Sequence, residues 1–75
     1  MTDHDVRIMR EKIGANAGHI WEYLYNHGTV GALKLRADLG MSNTALYLAL
    51  GWLAREEKID IVEEANSVKI SLINR

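Results

Sequence analysis

The sequence predicts an α+β fold, mainly α, in which three helices are followed by a two-stranded β-hairpin, and three observations carry that expectation. Apolar residues recur at spacings of three and four from Val6 to Leu24 and again from Leu46 to Leu53, the period of a helix with one buried face. From Ile59 onward the period switches to two, as in a strand. Gly40 and Ser42 punctuate the stretch LKLRADLGMSNTALYLALGWLAR between them, one as a helix stop and the other as a helix cap. Helix, helix, tight turn, helix and hairpin is the order of a winged helix-turn-helix.

Helix one is expected from Asp3 or Asp5 to Asn26, ended by His27-Gly28, with Val6, Met9, Ile13, Ala17, Ile20 and Leu24 along one stripe. Thr2 followed by Asp5 is a capping-box-like start with Asp in place of Glu or Gln. The alternative is a frayed segment 1–12 and a helix beginning near Ile13. A second stripe, Gly14, Gly18, Trp21 and Tyr25, runs about a quarter turn away. Each interior glycine costs about 1 kcal/mol relative to alanine, so the pair implies a close neighbour, either another helix of the chain or a second subunit.

Thr29-Val30 is a candidate for a strand of one or two residues that would extend the hairpin to three strands. Helix two spans Ala32 to Leu39, with Leu33, Ala37 and the following Met41 as its apolar edge, Leu35 or Arg36 at its margins, and Lys34 and Arg36 as its cations. Those cations are either a solvated face or phosphate contacts. Gly40 supplies the left-handed residue that ends the helix, and the Ser42 side chain accepts from the free amides that open helix three. Helix three, Asn43 to Glu57, buries Leu46, Ala49, Leu50 and Leu53, while Ala45, Leu48 and Trp52 widen the apolar stripe to nearly half the circumference. The surplus is either covered by helix one and the hairpin or left open for a partner. In the hairpin, Ile59 and Ile61 share a face with Val68, Ile70 and Leu72, and Asp60, Val62, Lys69 and Ser71 lie on the wetter one. Glu63 to Ser67 makes the turn, with Asn66 as the residue most tolerant of positive φ.

Bulk properties restrict the function. Seventy-five residues make one domain, 1–75, and the absence of cysteine removes disulfide and thiolate-metal chemistry. No apolar run reaches the ~20 residues of a membrane span, which together with the missing cysteines leads to a cytoplasmic expectation. His4, His19 and His27 are spaced by 15 and 8, which does not match the i, i+4 pairing of a helical zinc site. Glu56, Glu57, Glu63 and Glu64 have no nucleophile or ligand set beside them. No enzyme activity, cofactor, metal or small-molecule substrate is therefore expected.

With IGANAGHIWEYL at Ile13 to Leu24, LRADLGMS at Leu35 to Ser42 and ALGWLAREEKI at Ala49 to Ile59, the chain resembles a family of small stand-alone winged helix-turn-helix domain proteins of bacteria and archaea whose function is unknown. The resemblance covers about Ile13 to Leu72, and ALGWLAREEKI is its most specific segment. It implies a winged-helix fold and a DNA-binding role inferred from that fold, with no catalytic residues or cofactor. Ser42 to Tyr47 then matches the start of a recognition helix and Glu63 to Ser67 the wing tip.

The residue types at the front of helix three suit double-stranded DNA. Asn43 can pair two-pronged with adenine, Ser42 and Thr44 can meet base edges or phosphates, and Tyr47 can donate to a phosphate. Lys34, Arg36 and Lys69 complete the candidate contacts. Charge argues the other way, because the net charge is −1, the span from Ala37 to Ala54 holds a single charged residue, Asp38, and the wing tip carries Glu63 and Glu64. A homodimer would double the few cations. The alternative function is a protein-interaction or dimerisation module that docks a partner through Ala45, Leu48 and Trp52 or through Gly14, Gly18, Trp21 and Tyr25.

Overall fold

The computed structural model describes the backbone of residues 3–73 and the side chains of residues 9–73. Helix α1 runs Asp3–His27, from the earlier of the two expected starts. Its 25 residues rise about 37 Å at ~1.5 Å each, which accounts for the 39 Å long dimension of the molecule. Thr2 and the side chains of Asp5 and Val6, on which the expected cap and the first part of the stripe depend, lie outside the described residues. The helix stops where Gly28, at φ 80°, donates its N–H to the Leu24 carbonyl at 2.8 Å.

Strand β1 (Val30–Gly31) leads into α2 (Ala32–Leu39), followed by α3 (Asn43–Arg55), β2 (Ile59–Glu64) and β3 (Ser67–Leu72). The turn between α2 and α3 is built as its punctuation predicts. Gly40 sits at φ 64°, ψ 35°, its N–H donates to Ala37 O at 3.2 Å, and Met41 N–H donates to Arg36 O at 3.0 Å. Two of the last carbonyls of α2 are thereby satisfied. Ser42 is extended at φ −74°, ψ 161°, and its hydroxyl oxygen accepts from Ala45 N–H at 3.1 Å.

The apolar edge expected on α2 is corrected. Leu33 is 73% exposed and Ala37 is also exposed, whereas Met41 packs half-buried against the core as expected, and Leu35 and Ala32 are buried. Residues 32, 35 and 39 follow spacings of three and four, and that row faces the core because β1 delivers Ala32 directly beneath the sheet. Helix α3 ends two residues before the expected Glu57. Glu57 instead adopts φ 58°, and Glu57 N–H and Lys58 N–H close onto the Ala54 and Leu53 carbonyls, both at 3.0 Å.

The sheet has three antiparallel strands in the order β1-β3-β2, so the expected hairpin is joined by the short strand at Val30. Val30 pairs with Ile70 and Ile59 with Leu72. The hairpin turn is tighter than expected. Glu64 pairs with Ser67, leaving Ala65-Asn66 as a two-residue loop in which Ala65, not Asn66, has positive φ (24°). Ile61 does not join Ile59 in the core; it is 42% exposed, because β2 is an edge strand whose outer part runs past the helices. Ile20, Leu24, Leu35, Leu46, Leu50 and Ile70 are fully buried, one cluster shared by all three helices and the central strand.

Candidate nucleic-acid interface

Helix α3 buries one row of its residues and exposes the polar front. Leu46, Ala49, Leu50 and Leu53 are buried, and helical geometry then turns Asn43, Thr44 and Tyr47 outward, all of them exposed. A cleft of about 440 Å³ opens between this front, the start of α2 and the wing. Leu33 and Arg36 of α2, Asn43 and Tyr47 of α3, and Glu63 and Asn66 of the wing line it. Fold and register bring these groups together, since Glu63 pairs with Val68 and therefore shares the helix-facing side of the hairpin.

The other candidate contacts are dispersed. Ser42 spends its oxygen on the cap and lies in a separate hollow with Lys12, Asn16 and His19. Lys69 is exposed on the sheet face away from the helices, opposite Val62. Lys34 is engaged, its ammonium 3.2 Å from the Asp38 carboxylate one turn on. Arg36 is thus the expected cation that the cleft receives.

Asp38 belongs to a latch that sequence spacing did not foretell. The Tyr23 hydroxyl of α1 donates to Asp38 Oδ2 at 2.6 Å across 15 residues of chain. The His27 ring stacks on Tyr23 at 4.3 Å, and its Nδ1 lies 3.0 Å from the Tyr23 carbonyl oxygen. The hydrogen bonds from Tyr23 and Lys34 hold the Asp38 carboxyl below its ordinary range, and the hydrogen bond to Asp38 raises the Tyr23 phenol above its own. The latch ties the surface of α1 to that of α2 beside the core that packs the two helices.

A second face lies behind the first. Gly14, Gly18 and Trp21 of α1 and Trp52 and Leu53 of α3 line opposite sides of a hollow of about 280 Å³. Trp21 and Tyr25 stack at 5.3 Å, and Tyr25 is 70% exposed. A Cβ added at Gly14 or Gly18 would meet nothing within 4 Å, which overturns the expectation of a same-chain neighbour at the glycines. The surplus width of α3 also remains open, with Leu48 and Trp52 more than two-fifths exposed and Ala45 half-buried.

Fold and site define the class, a winged helix-turn-helix protein with an outward-facing third helix. A family model described as Winged helix-turn-helix domain (DUF2582) matches residues 8–72, and the chain belongs to that family. No curated protein and no solved structure matches the chain. Among the described residues no helix is long and apolar enough to cross a membrane, and no three His, Cys, Asp or Glu side chains are grouped to hold a metal ion.

Proposed function

We propose that the protein is a non-catalytic, cytoplasmic transcriptional regulator that binds double-stranded DNA as a homodimer. The observation that supports this reading is the exposure of Asn43, Thr44 and Tyr47 on the front of a capped third helix, beside a wing. In the major groove Asn43 reads adenine through its amide, Thr44 meets a base edge or phosphate, and Tyr47 and Arg36 donate to phosphates. Glu63 at the cleft opposes the phosphate backbone, so affinity is low for each protomer and depends on two protomers binding together.

The test is selection of a duplex from a random pool, followed by fluorescence anisotropy. Asn43→Ala is expected to cost about 1–3 kcal/mol and to relax one base preference. Tyr47→Ala and Arg36→Ala are expected to weaken all sequences alike, with the log–log salt slope falling by about 1 for each phosphate interaction removed. Unchanged affinity in both Asn43→Ala and Tyr47→Ala overturns the recognition-helix assignment. A second reading, docking of a protein segment in the cleft, is favoured by Leu33, which is 73% exposed at its rim. A pool that yields no enriched duplex supports that reading instead.

A further inference from the structure

We infer that a second copy of this chain docks along α1, antiparallel, with Gly14 and Gly18 at the helix crossing and Arg10 of each protomer against Glu22 of the other. The inference deepens the homodimer reading above and is independent of the DNA reading. It starts from a row on the surface of α1. Residues 10, 14, 18 and 22 are four apart and form one ridge, charged positive at one end, negative at the other and bare of side chains in the middle.

Such a row is self-complementary under a two-fold axis. When the i±4 ridges of two helices align, the commonest packing class, the axes cross at about −50°. With the axis between residues 14 and 18, Gly14 faces Gly18 of the partner copy and Arg10 meets Glu22, twice over. A parallel arrangement would set like charges side by side. Both side chains are exposed, and the ion pair found among the described residues joins Lys34 and Asp38.

Three further features belong to the same face. The glycines have no neighbour within 4 Å of a Cβ position, so the free space lies where a second helix would sit. Trp21 and, across the hollow, Trp52 rim that space while 40% and 44% exposed, and Tyr25, 70% exposed, stacks on Trp21 at 5.3 Å. Aromatic groups of this kind are the usual anchors of an interface core. The face also lies away from the α3 front, so dimerisation through it leaves both recognition helices open.

Charge reversal in trans tests the register. Wild-type protein in sedimentation equilibrium at up to about 100 μM is expected to dimerise, and Arg10→Glu and Glu22→Arg are each expected to weaken association about tenfold or more by opposing like charges twice. An equimolar mixture of those two variants is expected to recover wild-type association as a heterodimer, as is the double variant as a homodimer. Circular dichroism melts check that the single variants stay folded. Wild-type protein that remains a monomer of 8.5 kDa overturns both this inference and the homodimer reading. A wild-type dimer that neither reversal weakens, or that the mixture fails to restore, overturns the α1 register and leaves the homodimer reading standing.

Discussion

The two faces of the molecule are built from the same helices but on opposite rules. The front of α3 is polar, capped and shallow: Asn43, Thr44 and Tyr47 project from a helix start whose amides are satisfied by Ser42. The α1 face behind it is aromatic and glycine-bearing, with Trp21 and Trp52 beside bare backbone and Tyr25 stacked on Trp21. Polar groups that project without burial suit a hydrated, charged partner; apolar groups around a groove gain most from a partner that removes them from water. On the proposed function the two faces take different occupants, and their responses to mutation are separable.

Both faces hang on one core, so the largest expected effect is common to them. Leu50→Ala, at a fully buried position, should cost about 2–5 kcal/mol in chemical denaturation and diminish DNA binding and self-association together. A Leu50→Ala protein that lost one function while keeping the other intact would break the premise of a shared scaffold.

The cap at the front is expected to matter less. Ser42→Ala should cost about 1 kcal/mol, measured as a shift of the denaturation midpoint, because Ala45 N–H loses its acceptor. Behind, the sign reverses. Gly18→Ala should stabilise the isolated protomer by about 1 kcal/mol, since the added Cβ meets nothing and the helix gains propensity, yet it should weaken association by separating the crossing helices. Glu57→Gly should also stabilise, by up to about 1 kcal/mol, by relieving a side chain at φ 58° where glycine is at ease.

The smallest effect concerns the latch between the faces. Asp38 has a lowered folded-state pKa, so its contribution is fully present above the ordinary carboxylate range and is lost as pH falls through the folded value. Tyr23 has a raised one, so its contribution is present below the ordinary phenol range and lost as pH rises through the folded value. Thermal melts of Tyr23→Phe should therefore show a flatter acid limb than wild type, and a parallel limb would remove the latch from the account.

Much of the fold was legible because the signals were local. Gly40 needed a left-handed backbone and Ser42 a neighbouring amide, and both are found in those roles within a few residues of chain. The α3 stripe was equally plain, since four leucine and alanine positions left only one face for Asn43, Thr44 and Tyr47. Local signals misled where two solutions were close in energy. On α2 the rows through Leu33 and Leu35 have similar apolar content, and only the approach of β1 and β3 selected the second. In the hairpin the strand register from Ile59↔Leu72 to Glu64↔Ser67 left a two-residue loop, and Ala65 rather than Asn66 took the positive φ, against residue preference.

The candidate site was less legible than the helices that hold it. The sequence by itself determined the element order, the capped turn and which side of α3 stays in water, because helix period and capping act over one or two turns. Only the tertiary structure decided that Arg36 shares the cleft with Asn43 and Tyr47 while Lys69 does not, that Lys34 is taken by Asp38 and Asp38 by Tyr23, and that Gly14 and Gly18 stand uncovered. Those facts depend on contacts between segments far apart in the chain, and no spacing along a sequence encodes the angle at which two packed elements meet.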